Sequence, residues 1–202
     1  MTVEPKQKSM LASPLRWWLA LPFAAAGGYA LDVATPSIDW WPAALIGAVL
    51  IISALWQQSW RVGLFVGLTA GAAFWMPHIY WLTLYLGPVP WLALSVLMIV
   101  WFGLFGLFAA LATRGLSQLR LPTPALILAQ SLTVAGLWVA REQLQSTWPY
   151  GGFAWGRIAI TQADGPLVGL VYWLGFAGLS GLIVFSCALV VAILASPKLA
   201  IP

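Results

Sequence analysis

Few side chains in this sequence can carry chemistry, and their surroundings separate them. Cys187 is the one thiol, set in the apolar run Val184-Phe185-Ser186-Cys187-Ala188-Leu189. A thiol acts as a nucleophile only as thiolate, which apolar surroundings disfavour, and no Lys or Glu is near it in sequence; Cys187 reads as inert. His78 is the one imidazole, in an aromatic, broken stretch with no carboxylate close by in sequence, and reads as interfacial packing. Asp39 and Glu142 are acids at the ends of apolar runs, placed either as ordinary helix-end charges or as partners for a lipid ammonium. A Gly-rich phosphate loop, a His-x-x-x-His pair and a Ser/His/Asp set are all missing from the sequence. One cysteine leaves no internal disulfide and no cysteine-rich metal site, so no metal and no cofactor is expected.

What remains is a lipid-handling surface. Residues 147–157 read Thr-Trp-Pro-Tyr-Gly-Gly-Phe-Ala-Trp-Gly-Arg. Pro149, Gly151 and Gly152 break a helix, the first for lack of an amide proton and the others by backbone entropy. Trp148, Tyr150, Phe153 and Trp155 are rings of the kind that collect at a lipid–water boundary, and Arg157 adds a fixed charge able to meet a phosphate.

The elements that must hold this loop are apolar throughout. The sequence is 62% hydrophobic and 7% charged, with a mean hydropathy of +0.93. A soluble domain carries roughly 25% charged residues, so the chain is read as an all-α, polytopic integral membrane bundle. Six spans are expected, over residues 17–31, 40–56, 62–75, 91–113, 125–140 and 167–195. The last is longer than the roughly 20 residues a span needs, so its first third is placed along the interface. Residues 1–14 form a polar tail, 15–196 the membrane domain and 197–202 a truncated end; a cleaved signal peptide over the first run is the less favoured reading. Gly63, Gly67 and Gly71 place a small stripe on one helical face, suited to close helix packing in lipid.

Basic residues orient the bundle. A cytoplasmic N-terminus puts Lys6, Lys8, Arg16, Arg61, Arg114, Arg120 and Lys198 inside and leaves Arg141 and Arg157 outside, the asymmetry expected of a multi-pass membrane protein with that orientation. It also puts three aromatic loops outside: around Trp40-Trp41, around His78-Tyr80-Trp81, and residues 148–157. The net charge of +4 is therefore a topology signal, with no nucleic-acid partner implied.

These loops carry a resemblance. Glu142, then Gly152-Phe153-Ala154-Trp155, then Thr161-Gln162 and Asp164-Gly165-Pro166-Leu167 resemble the motif of bacterial apolipoprotein N-acyltransferases. The turn Pro36-Ser37-Ile38-Asp39-Trp40-Trp41-Pro42 is similar to that family's first external turn, and Tyr80-Trp81-Leu82-Thr83 with Gly87-Pro88-Val89-Pro90 to its second loop. Ala154 stands where the family has Pro, and Gln145 where it has a basic residue. The resemblance implies transfer of an acyl chain from a phospholipid, by way of a thioester, to the amino-terminal cysteine of a diacylglyceryl lipoprotein. It also implies that the Glu-Lys-Cys catalytic set belongs to a nitrilase-like domain absent from this sequence, so the chain alone is expected to be inactive. The substrate-binding residues it implies are Trp81, Glu142, Trp148, Gly152, Phe153, Trp155 and Arg157. A non-catalytic scaffold binding partner helices through the glycine stripe is the main alternative. A transporter is the other, and would call for charges within spans and paired broken helices, neither of which the sequence offers.

Overall fold

The computed structural model describes residues 14–196, and among these every regular element is helical. In chain order they are α1 (Trp17–Val33), α2 (Pro42–Leu55), α3 (Trp60–His78), the short α4 (Leu82–Leu86), α5 (Pro88–Leu116), α6 (Thr123–Gln145) and α7 (Val171–Leu194). Two 3-10 turns, Ile158–Gln162 and Val168–Leu170, lead into α7. The expected tail 1–14 and end 197–202 lie outside the described residues, apart from Pro14. Among the described residues, three helical stretches are long and apolar enough to cross a bilayer: α5, α6, and Val168–Leu194. The helices α1, α2 and α3 have 17, 14 and 19 residues, shorter than the roughly 20 of a full perpendicular span.

The six long helices close into a ring in the order α1, α2, α7, α6, α5, α3, with α3 returning to α1 and α4 packed on α5. Chain order and ring order differ because α7 comes back to α2. Inside the ring, Ile51, Val66, Phe102, Phe105, Trp138 and Leu179 form a continuous buried core. One end holds the α1–α2, α3–α5 and α6–α7 connections. At the opposite end Thr113 ties α5 to α6 and to the α2–α3 connection: its hydroxyl accepts the Gln57 backbone N–H at 3.1 Å and its carbonyl accepts Gln130 Nε2 at 2.7 Å.

The glycine stripe sits on the tightest seam. Gly67 faces the backbone of Phe102 and Gly103, and a Cβ added there would meet Gly103 Cα at 3.0 Å; one on Gly63 would meet the Gly106 carbonyl at 2.7 Å, and one on Gly71 the Phe102 Cβ at 2.7 Å. Backbone approach of this kind is what small residues permit where apolar burial supplies no drive between helices. Gly67→Ala is therefore expected to destabilise the bundle by about 1–3 kcal/mol through overpacking. Gly136, with open space around its Cβ position, serves as the control. Gly136→Ala should be neutral or slightly stabilising, and thermal unfolding in detergent compares the two.

Three expectations are corrected. The span expected to end near residue 140 continues as α6 to Gln145, so Arg141 and Glu142 lie within the helix and are buried instead of standing at its end. With Asp32 buried in the last turn of α1, charges do lie inside helices after all; local partners make their burial tolerable. The stretch read as broken from Met76 to Pro90 is more helical than expected. Helix α3 runs on to His78, α4 is a helical turn of its own, and Pro88 starts α5, as proline's fixed φ favours at a first helical turn. In α7 the start is broken at Gly175, whose φ of 64° interrupts the helix and leaves Tyr172 and Trp173 exposed.

Candidate functional site

The C-terminal turn of α6 is the base on which the connection to α7 is built. Glu142 Oε1 accepts the Trp138 indole N–H at 2.8 Å and the backbone N–H of Ile158 at 2.9 Å. One helical step on, the Gln145 carbonyl accepts the Phe153 N–H at 2.6 Å. The segment between Phe153 and Ile158 is thus pinned at both ends, with Trp155 between the pins. Arg157 folds back so that Nε donates to Ser146 Oγ at 3.2 Å.

Two glycines make this path possible. Gly152 adopts φ of 72°, and a Cβ there would sit 2.6 Å from the Gln145 carbonyl that Phe153 uses. Gly156, at φ of 88°, lies against the Trp75 ring, 2.6 Å from where a Cβ would be. Both conformations are ones that side-chain-bearing residues rarely adopt.

The pinned segment lays its rings on those of other elements. Buried Trp75 of α3 meets Phe153 at 5.9 Å, Phe153 stacks near Trp155 at 6.0 Å, Trp155 meets Trp81 at 5.5 Å, and Trp81 meets Tyr85 of α4 at 6.1 Å. These centroid separations are those of mutually attractive ring pairs. The result is a row of five rings running from the core to an exposed edge, where Trp155 is 58% and Tyr85 77% exposed.

Of the seven residues marked in the sequence, Trp81, Phe153 and Trp155 come together in this row. Gly152 and Glu142 lie beneath it as turn and anchor, Glu142 being only 1% exposed. Arg157 lies alongside on Ser146. Trp148 is not in the row; its ring stands edge-on to Trp101 of α5 at 6.0 Å. Sequence reasoning missed Trp75, Gly156 and the Trp138 and Ile158 contacts of Glu142. The four-residue step from Trp138 to Glu142 on one helix could have signalled that pair; the others are long-range.

His78 does have a carboxylate, contrary to what its neighbours in sequence suggested. Its Nδ1 lies 3.4 Å from Asp32 Oδ1, brought over by the packing of α1 on α3, and its ring stacks on Phe74 at 4.9 Å. Cys187 is buried in α7, with Sγ 3.8 Å from the Leu45 carbonyl, and none of the described residues beside it provides an activating base.

At the same end of the bundle Asp39 faces Asp164. A hydrogen bond with the Asp164 carboxyl, then partial burial and the repulsion of the second charge, raise Asp39 above its ordinary value of 3.8. The folded chain then holds this proton more tightly than the unfolded one, so stability falls as pH rises from 3.8 through the raised value. Asp39→Asn is expected to flatten that dependence, checked by melting temperature against pH.

Comparison with known proteins bears on what this arrangement serves. The profile described as "Apolipoprotein N-acyltransferase N-terminal domain" matches residues 27–189. The apolipoprotein N-acyltransferase of Pseudomonas putida is 31% identical over 195 residues, covering 89% of this chain and 36% of the relative. That of Azotobacter vinelandii is 29% identical over 189 residues, covering 88% and 36%. A shorter match, 38% identical over 96 residues, covers 45% of this chain and 16% of the enzyme from Mycolicibacterium smegmatis. The chain thus spans about a third of the length of the relatives it matches along most of its own. With the profile running from α1 into α7 and so enclosing the whole pinned loop, the chain belongs to the apolipoprotein N-acyltransferase N-terminal domain family.

Proposed function

We propose that this chain is the membrane part of an enzyme that moves an acyl chain from a phospholipid to the amino-terminal cysteine of a diacylglyceryl lipoprotein, and that it holds the lipid substrates. The observation that carries this reading is the ring row from Trp75 to Tyr85, fastened to α6 at Phe153 and Ile158. An acyl chain drawn partly out of the bilayer loses about 0.8 kcal/mol for each CH₂ exposed to water. An apolar wall at the boundary offsets that cost. Trp81, Phe153 and Trp155 are the wall, Trp148 a flanking interfacial anchor, and Arg157 the partner for the lipid phosphate. Glu142 and Gly152 keep the wall in place. Acyl transfer through a thioester is assigned to residues outside this chain, since its one thiol is buried in α7. The chain alone is then inactive.

The same reading places six spans in a bacterial inner membrane, with the N-terminus in the cytoplasm and the ring row at the outer boundary. Support comes from Arg16, Arg61, Arg114 and Arg120 gathering at the end of the bundle opposite the rings. A reporter fused after Pro202 should be active only in the cytoplasm; activity only on the other side contradicts the orientation. The lipid role is tested by a structure of the full-length protein with a phospholipid bound. Acyl density along Trp81 and Trp155 is expected, and density confined to the outer faces of the helices would contradict it.

A further inference from the structure

Arg141 is the most deeply buried cation among the described residues, 3% exposed and immediately before the last turn of α6. Its guanidinium lies 4.2 Å above the Phe102 ring and 4.9 Å from that of Trp138. Nη1 donates to Gln145 Oε1 at 2.9 Å, and Nη2 lies 3.5 Å from Glu142 Oε1. Burying an arginine is costly unless rings and acceptors compensate it. Here both contribute, with only Nε left without a partner, and the two acceptor residues are the same two that pin the loop.

We infer that Arg141 is a positioning residue: it carries α6 one turn beyond its apolar run and holds Glu142 and Gln145 as the two posts for Ile158 and Phe153. The apolar pattern of α6 ends near Ala140. The bond from Arg141 to Gln145 spans i to i+4 and locks the following turn. That turn presents the Gln145 carbonyl to Phe153 and the Glu142 carboxylate to Ile158. The positive charge also compensates Glu142, whose buried carboxylate has no other ion-pair partner among the described residues. Arg141 touches no lipid in this scheme and acts through the two posts. Its effect on turnover rests on the proposed lipid role of the ring row; its effect on the loop does not.

The test uses the full-length protein in lipid nanodiscs and reads two quantities, hydrogen exchange at the Phe153 and Ile158 amides and steady-state kinetics with phospholipid. Arg141→Met is expected to speed exchange at both amides by about tenfold or more while α3 and α5 keep their protection. KM for the phospholipid should rise about tenfold with kcat within about twofold, since a misplaced wall weakens binding without entering the chemistry. Arg141→Lys keeps the charge but loses the flat fork and the ring stacking, so it should recover only part of the protection. Gln145→Leu removes Arg141's partner while retaining its stacking; it carries the same expectation and decides the matter where Arg141→Met lowers abundance. Wild-type exchange at both amides in Gln145→Leu and Arg141→Met overturns the inference. Loosened amides with unchanged KM would uphold the positioning role and contradict the lipid reading of the wall.

Discussion

In the full-length protein, Phe153→Ala with Trp155→Ala lowers kcat/KM for the phospholipid donor by about 30-fold, with the loss in KM. The two rings are the middle of the row and, in the proposed role, together cover between two and three methylenes of an acyl chain, worth about 2 kcal/mol at about 0.8 kcal/mol each. In that role they contact the acyl chain away from its ester, so ground state and transition state would lose the same contact and kcat should hold. Neither ring is a post of the bundle. Trp155 is more than half exposed, and Phe153 is fastened through its backbone N–H, which alanine keeps. Abundance and melting temperature should therefore change little. If the loop served only to anchor α6 to α7, the opposite pattern would follow: lost abundance with unchanged kinetics per folded molecule.

Glu142→Ala should fail in a different way, by loss of the fold. It deprives the Trp138 indole and the Ile158 amide of their acceptor and strips Arg141 of its one charged neighbour. Breaking a buried pair by removing one partner costs about 3–5 kcal/mol, enough to remove most of the folded protein from the membrane. Glu142→Gln separates the parts of this loss. Its amide oxygen can still accept from Trp138 and Ile158 but offers Arg141 no charge, so an intermediate melting temperature is expected. Equal losses for Ala and Gln would put the whole effect on charge, and no loss for Ala would remove Glu142 from the anchor.

The all-helical class was legible because apolar runs separated by Pro, Gly and charge leave little else for such a chain to form in lipid. The stripe of Gly63, Gly67 and Gly71 was legible for the same local reason, being a repeat on one face. Trp81, Phe153 and Trp155 were marked by their aromatic loops and by the family resemblance, and their meeting in one row was not, since Trp81 and Trp155 belong to different connections. The end of α6 was misjudged because apolarity marks where a helix leaves the hydrocarbon, while its hydrogen bonds run on as long as side chains support them. Arg141 and Glu142 looked like surface charges for that reason. The approach of Asp32 to His78, and of α7 to α2, depends on ring closure and leaves no trace in local pattern.

The lipid-holding role of the ring row is tested most directly by cross-linking. A phospholipid with a photoreactive group near the end of its acyl chain is mixed with the full-length protein, irradiated, and its attachment points are mapped by mass spectrometry. Enrichment on the segments carrying Trp81, Phe153 and Trp155, diminished by competing unlabelled phospholipid, is the expected result. Label confined to outward-facing positions such as Leu132, Gly136, Leu182 and Phe185 in the shallow groove between α6 and α7, with none on the ring row, would contradict it.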